Sequence, residues 1–126
     1  MDATKKQLSR RKKVAYVAGP FRGPNMYETI MNIRKAEAMA CELWVMGFTV
    51  ICPHTNTANM EGLLPDDGFL IGDIELIKRS DFVVLYLPHD HPKIINSKGT
   101  QGEIKFCAEN NVSVYDDLSV VKLYQG

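Results

Sequence analysis

Hydrophobic positions along the chain change their spacing repeatedly, and each spacing predicts a different element. Short apolar runs predict strands, whereas steps of three and four residues between Ile30 and Leu43 predict a long amphipathic helix. The run from Phe82 to Leu87 is apolar throughout, which is typical of a central strand buried on both faces. The predicted strands are 14–18, 48–52, 81–87 and 112–115, and the long helix covers 27–46.

Two long polar segments, 53–67 and 88–99, interrupt this pattern and predict loops. Loops of that length in compact domains are usually functional or mobile. Each loop is followed by a further helical pattern, and a third helix closes the chain. These helices are 68–79, capped by Asp66 or Asp67, then 100–110, and a short C-terminal helix from Asp116 or Asp117 to Tyr124.

Strands and helices therefore alternate along the chain, and this alternation defines a fold class. It predicts an α/β protein whose doubly wound parallel sheet has four to five strands and helices on both faces. In such sheets ligands bind beyond the carboxyl ends of the strands. The segments expected there are 19–25, 53–67 and 88–99, which also hold the residues with unusual chemistry.

The composition of the chain bears on its binding partners and on its compartment. A chain of 126 residues is the size of one domain, and its 15 basic and 15 acidic residues cancel, so no global field favours nucleic acid or an anionic membrane. No apolar run is long enough to cross a bilayer. The cysteines Cys41, Cys52 and Cys107 are odd in number and set in apolar sequence, which predicts buried thiols in a reducing cytoplasm.

Basic residues are nevertheless concentrated at the start of the chain, where positions 5, 6 and 10–13 are all Lys or Arg. A nucleic-acid-binding arm is one interpretation of this cluster, but a solvated, flexible tail is favoured. We therefore divide the chain into a basic N-terminal tail, 1–13, and a single domain, 14–126.

The turn after the first predicted strand, Gly19-Pro20-Phe21-Arg22-Gly23-Pro24, has two interpretations. Glycine and proline explain a strand-to-helix turn by themselves. Alternatively, glycine lets the backbone approach a ligand, the following helix offers free N–H groups, and Arg22 supplies a guanidinium matched to phosphate. Spacing alone does not decide between a simple turn and an anion site.

Glu103 also has a structural and a chemical interpretation. Thr100 and Glu103 fit a capping box at the start of a helix, and spacing alone favours that role. Gly102, however, costs about 1 kcal/mol relative to alanine inside a helix, which suggests that something approaches closely there. A carboxylate near a helix N-terminus is also favoured in its ionised form, as a nucleophile requires.

Asp73 and Tyr16 are ambiguous for a different reason. Asp73 is four residues from both Phe69 and Ile77, so its carboxylate falls on or next to the core-facing side of its helix. It either reaches solvent or lies near a ligand cleft, where burial would raise its pKa as a general acid needs. The Tyr16 ring suits a strand core, but its hydroxyl needs a partner. Two carboxylates facing one cleft would suit glycosidic cleavage.

Three motifs in order resemble the nucleoside 2-deoxyribosyltransferase superfamily: Tyr16-Val17-Ala18-Gly19-Pro20-Phe21-Arg22-Gly23, then Asp73, then Ser97-x-Gly99-x-x-x-Glu103. The resemblance covers nearly the whole chain from residue 14. It implies a flavodoxin-like fold that works without a metal or other cofactor, and a homodimer or higher homo-oligomer. It also implies that Glu103 attacks the sugar C1′, that Asp73 protonates the leaving base, and that Tyr16 orients the nucleophile.

Within that superfamily the chain is most similar to the 2′-deoxynucleoside 5′-phosphate N-hydrolases and to short bacterial and phage members. Ser97 stands where nucleoside transferases carry aspartate, which would repel a phosphate dianion. Pro20 departs from the hydrolase pattern because it has no N–H to offer phosphate, and Gly102 is a displaced glycine. The residues that the resemblance assigns to substrate binding are Gly19, Phe21, Arg22, Gly23, Ser97 and Gly99.

The sequence therefore predicts an N-glycosidase that hydrolyses the base–sugar bond of a (deoxy)ribonucleoside 5′-monophosphate through a covalent intermediate on Glu103. The expected partner is a small nucleotide, with neither membrane nor nucleic acid involved. One alternative is a nucleoside 2-deoxyribosyltransferase. Another is a non-catalytic nucleotide-binding module in which Glu103 caps its helix, and a third is an interaction protein that uses the basic tail.

Overall fold

Four short strands form one parallel sheet in the order β2-β1-β3-β4. The computed structural model describes the backbone of residues 2–125 and the side chains of residues 5–6 and 8–121. The strands are β1 (Val14–Ala18), β2 (Thr49–Ile51), β3 (Phe82–Leu85) and β4 (Val114–Tyr115). All four lie inside the runs that the sequence predicts, and the sheet has the expected α/β class.

Helices connect the strands, and the longest is α2, Met26–Val45. It begins where the Asn25 side chain accepts a hydrogen bond from the Glu28 N–H at 2.8 Å, and Gly47, with φ 100°, follows its end. The predicted loops each contain a single helical turn that starts with proline, whose φ suits that position. The other helices are α1 (Asp2–Ser9), α3 (Pro53–Asn56), α4 (Asp66–Lys78), α5 (Pro92–Ile95), α6 (Lys98–Glu109) and α7 (Leu118–Gln125).

The core lies on both faces of the sheet, because successive strand residues point to opposite sides. Ala15 and Val17 of β1 pack with α2 and α7, whereas Tyr16 and Ala18 pack with α4, α5 and α6. Every residue of β3 is buried, as expected for a central strand. One face consequently brings the Tyr16 ring toward the helix that carries Glu103.

Two helix starts differ from the sequence prediction. The N-cap of α4 is Pro65, and Asp66 and Asp67 lie in the first turn, where their charges still suit the helix dipole. The N-cap of α6 is Ser97, whose side-chain oxygen accepts a hydrogen bond from the Thr100 N–H at 3.2 Å. The capping box predicted from Thr100 to Glu103 is therefore wrong.

The N-terminal segment is helical where the sequence predicts a flexible tail. In α1, Lys6 in the last turn suits the helix dipole, and the described side chains are exposed, including Leu8 at 80%. Beyond it, Arg11 pairs with Asp81 at 3.0 Å, and the other Asp81 oxygen accepts a hydrogen bond from the Val14 N–H at 2.7 Å. These contacts fix the start of β1.

Two smaller expectations can be compared with the structure. Of the three free cysteines, Cys107 is buried, but Cys52 is only partly buried and Cys41 is exposed, so the prediction of buried thiols is wrong for Cys41. Among residues 2–125, no helix is both long enough and apolar enough to cross a membrane.

Candidate active site

A cleft of about 640 Å³ opens beyond the carboxyl end of β1. Its volume is in the range of about 300–1,000 Å³ that small-molecule sites occupy. The three loop segments singled out in the sequence all contribute to its walls. All nine candidate site residues line it: Tyr16, Gly19, Phe21, Arg22, Gly23, Asp73, Ser97, Gly99 and Glu103.

Glu103 lies in the second turn of α6 and is only 7% exposed. Its Oε2 accepts a hydrogen bond from the hydroxyl of Tyr16 at 2.5 Å. The two residues are 87 positions apart in the chain and meet because Tyr16 points out of the sheet toward α6. The carboxylate is thus held by a buried phenol and not by its own helix start.

Burial raises the pKa of Glu103 to about 8, because the charged form loses its hydration. The hydrogen bond from Tyr16 lowers this pKa, and the negative charge of Asp73 raises it further. The expectation that a helix N-terminus keeps Glu103 ionised is therefore wrong for the free protein, since the residue lies beyond the first turn and burial dominates.

Asp73 lies on α4, which packs against α6, and its side chain lines the same cleft. Partial burial raises its pKa to about 6. The two carboxyl groups interact, so their protons leave in two steps that belong to the pair. Between pH 6 and 8 the pair holds about one proton, mostly on Glu103, whose pKa is the higher of the two.

The turn after β1 is held through its carbonyl groups. His54 Nε2 lies 3.0 Å from the carbonyl oxygens of both Gly19 and Pro20, and the Tyr86 hydroxyl donates to Pro20 at 2.6 Å. Both partners of Nε2 are acceptors, so that nitrogen carries the proton, and burial lowers the pKa of His54 and keeps the ring neutral. A buried imidazole therefore fixes the turn.

Gly19 is required by the packing of this turn. It has φ 151°, and a Cβ there would come within 2.2 Å of the Tyr86 ring. A Cβ at Gly23 would lie 2.6 Å from the Cβ of Glu28. At Gly102, by contrast, a Cβ would meet only Leu70, at an ordinary 3.7 Å. No described protein atom therefore approaches Gly102 closely, whereas both turn glycines have a steric reason.

Arg22 reaches the cleft but is engaged by carboxylates. Its Nη1 lies 3.1 Å from Asp66 and its Nε lies 3.4 Å from Glu61. On the other side of the cleft, the Ser97 hydroxyl caps α6 and pairs with the Thr100 hydroxyl at 2.8 Å. Gly99 borders open space. The two predicted phosphate-binding residues, Arg22 and Ser97, thus both have protein partners.

The sequence analysis misses several residues of the site. His54 follows a proline in a polar loop, and Asn32 lies on a long helix, where its amide donates to the Phe21 carbonyl at 3.3 Å. His54 Nδ1 and Asn32 Oδ1 are buried, with no hydrogen-bond partner among the described residues. Lys93 and Lys98 also line the cleft. No periodicity or spacing marks these four, because their roles depend on contacts distant in sequence.

No group of three His, Cys, Asp or Glu side chains within residues 2–125 is arranged to hold a metal ion. Fold and cleft together define an α/β protein with a buried carboxyl group, Glu103, and a partly buried one, Asp73, beyond the carboxyl end of a parallel sheet. In such sheets ligands bind beyond the carboxyl ends of the strands, which is where this cleft lies.

The chain matches no protein-family model and no curated protein. Among solved structures it is similar to a 2-deoxyribosyltransferase from the psychrotolerant bacterium Bacillus psychrosaccharolyticus, with a TM-score of 0.56. The alignment covers 80% of this chain and 69% of that one, at 23% sequence identity. The likeness shows that the chain has the α/β fold of that enzyme, consistent with the flavodoxin-like fold that the sequence predicts.

Proposed function

We propose that the protein cleaves the N-glycosidic bond of a (deoxy)ribonucleoside 5′-monophosphate, with Glu103 as nucleophile. The observation that carries this proposal is the buried Tyr16–Glu103 hydrogen bond at the floor of a cleft that Asp73 also lines. A carboxyl group that only stabilised the fold would not need burial beside a second carboxyl group, because both lose hydration there.

The reactive form is the minor one in which the shared proton has passed from Glu103 to Asp73. In the first step, the Glu103 carboxylate of this form attacks C1′ while the bond from C1′ to the base breaks. The electron pair of that bond goes to the base, which takes a proton from Asp73. Tyr16 donates its hydrogen bond to the nucleophilic carboxyl group and holds it in one orientation. The products of this step are a free base and a sugar phosphate esterified to Glu103.

In the second step, water attacks C1′ of the ester, and ionised Asp73 accepts a proton from that water. The ester bond breaks, and its electron pair returns to Glu103. Two displacements at one carbon restore the starting configuration, as in retaining glycosidases. The sugar phosphate leaves, and the carboxyl pair again holds one proton.

Ser97 and Gly99 lie at the start of α6, and Gly19, Phe21, Arg22 and Gly23 lie in the turn after β1; all six line the cleft. We propose these six residues as the substrate-binding set, with Glu103, Asp73 and Tyr16 as the catalytic set, in a cytoplasmic homo-oligomer.

A nucleoside 2-deoxyribosyltransferase is the second candidate, and the shared fold with a 2-deoxyribosyltransferase favours it. The two activities differ only in what attacks the ester, water or a free base. Supplying a labelled acceptor base with a nucleoside or a nucleotide separates them, since only a transferase forms a new labelled nucleoside or nucleotide.

The proposal is tested by screening the common nucleosides and nucleoside 5′-monophosphates for release of free base. We expect release from at least one monophosphate, and Glu103→Gln should lower kcat by about a thousandfold or more because the nucleophile is lost. Glu109→Gln, an exposed residue on the same helix, is the matched control. Thermal stabilisation by nucleotides without any turnover would instead support a non-catalytic binding module.

A further inference from the structure

Charged side chains divide the cleft into two sides. On the side formed by the turn after β1 and the start of α4, carboxylates outnumber the single cation. Its charged lining residues are Arg22, Glu28, Glu61, Asp66 and Asp67. We call this the acidic side.

Arg22 is already neutralised on the acidic side. Its guanidinium contacts Asp66 at 3.1 Å and Glu61 at 3.4 Å. A phosphate group that took the guanidinium would leave these two carboxylates unpaired beside its own negative charge. Like charges at such distances repel, so the acidic side disfavours an anionic ligand.

The opposite side, which we call the lysine side, carries Lys93 of α5 and Lys98 at the first position of α6. Among the described residues, no carboxylate lies within salt-bridge distance of either ammonium group. The nearby Gly99 has no atom within 4 Å of the position that a Cβ would take. Two unpaired cations thus border an open stretch of backbone.

The geometry points to Lys93 and Lys98, rather than Arg22, as the residues that recognise the 5′-phosphate, with the base on the acidic side. This assignment rests on the proposed function. Glu103 lies just over one helical turn, about 6 Å along the axis, beyond Gly99, so a sugar held at Glu103 can extend its 5′ end to the lysine side. Asp73 belongs to α4, whose first turn contributes to the acidic side, so the leaving base faces that side.

The acidic side also defines a class of base. Carboxylates accept hydrogen bonds and donate none when ionised, so they favour bases with an exocyclic amino group. Adenine, guanine and cytosine have such a group, with two donor hydrogens, whereas thymine and uracil offer only the N3–H, which lies between two carbonyl oxygens that carboxylates repel. The distribution of charged residues in the cleft therefore favours a nucleoside monophosphate whose base carries an exocyclic amino group.

The test is calorimetric binding in the Glu103→Gln background, which prevents turnover. The probes are 2′-deoxyadenosine, thymidine and their 5′-monophosphates. We expect Lys93→Gln with Lys98→Gln to weaken monophosphate binding by at least about tenfold and to leave nucleoside binding unchanged, since charge-assisted contacts are lost. Arg22→Gln should change nucleoside and monophosphate binding by the same factor, because its guanidinium lines the acidic side and does not contact the phosphate. Lys105→Gln, on the same helix outside the cleft, is the control.

The assignment is overturned if Arg22→Gln removes the preference for monophosphate while the double lysine variant keeps it. The assignment is also overturned if the protein with both lysines intact binds a nucleoside and its monophosphate equally tightly. That holds even if the protein releases base from nucleosides. If thymidine monophosphate binds as tightly as deoxyadenosine monophosphate, the assignment of the base is wrong. If the double lysine variant weakens monophosphate binding but the wild-type protein releases no base, the lysines bind the phosphate as assigned. The proposed glycosidase activity is then contradicted.

Discussion

Glu103 has the most unusual environment of the candidate residues, because its carboxyl group is buried and hydrogen-bonded to a phenol that is itself buried. Burial raises the pKa of Tyr16 well above its usual range, so the phenol keeps its proton and acts only as a donor. Because the phenol stays protonated, it can donate to the carboxyl group in either protonation state of Glu103. What titrates at this site is the carboxyl pair, Glu103 and Asp73.

The pair predicts a bell-shaped dependence of kcat/KM on pH, with limbs near the pKa values of about 6 and about 8. Below the lower value both groups are protonated and no nucleophile remains, and above the higher value both are ionised and no acid remains.

Tyr16→Phe should lower the rate by about ten- to a hundredfold. It should also move the alkaline limb to higher pH, because it removes the hydrogen bond that lowers the Glu103 pKa. A uniform rate loss with an unmoved limb would mean that Tyr16 has only a structural role.

Glu103 also links stability to pH. Its pKa is raised on folding from 4.5 to about 8, so its stabilising contribution is complete below pH 4.5 and is lost as the pH rises through 8. We expect Glu103→Gln to increase the free energy of unfolding by about 1–3 kcal/mol at pH 8.5, because it removes a buried charge and retains an acceptor for Tyr16. Urea denaturation at pH 5 and pH 8.5 measures this. A gain of equal size at both pH values would contradict the linkage.

At the scale of the elements, the turn after β1 is the part of the site that the fold constrains most. Gly19→Ala should destabilise the protein by about 1–3 kcal/mol, because the new Cβ meets the Tyr86 ring and the φ of 151° is strained for alanine. Gly102→Ala is the matched variant and should stabilise by up to about 1 kcal/mol, since its Cβ meets Leu70 at 3.7 Å inside a helix. Chemical denaturation compares the two variants. A destabilising Gly102→Ala would mean that protein atoms lie closer to Gly102 than the 3.7 Å contact with Leu70.

The hydrophobic pattern predicts the strands and the three main helices because these elements are defined by their own periodicity. It also predicts which loops form the cleft, because parallel strands bring their carboxyl ends to one edge of the sheet. The first residue of a helix is harder to predict. For α6, Ser97 and Thr100 are both residue types that often cap a helix. In the structure Ser97 caps α6 and Glu103 contacts Tyr16, which is distant in sequence, so local sequence does not distinguish the two caps.

The same limit applies to His54 and Arg22. The role of His54 becomes visible only when a loop after β2 folds onto the turn after β1. Arg22 has the chemistry of a phosphate ligand, but two carboxylates from a distant segment of the chain engage it. The sequence thus predicts which residues line the cleft, but it does not predict the partners with which they pair.

At the scale of the whole molecule, the site depends on the sheet and the helices packed on it, and the N-terminal helix α1 is peripheral. Deleting residues 1–10 should change the free energy of unfolding by less than about 0.5 kcal/mol and leave base release unchanged, because the described side chains of this segment are exposed. Asp81→Ala, which removes the partner of the Val14 N–H, should destabilise by about 1–3 kcal/mol and serves as the comparison. Loss of function with an intact fold after the deletion would favour the interaction-protein alternative.

The central claim is that a glycosyl ester forms on Glu103, and rapid acid quench followed by mass spectrometry of the digested protein tests it most directly. A 2′-fluoro analogue of an active nucleoside monophosphate slows breakdown of the ester and lets it accumulate. We expect the peptide that contains Glu103 to gain the mass of the sugar phosphate, and Glu103→Gln to show no gain. Continued release of base with no adduct, or an adduct on another residue, would contradict the account.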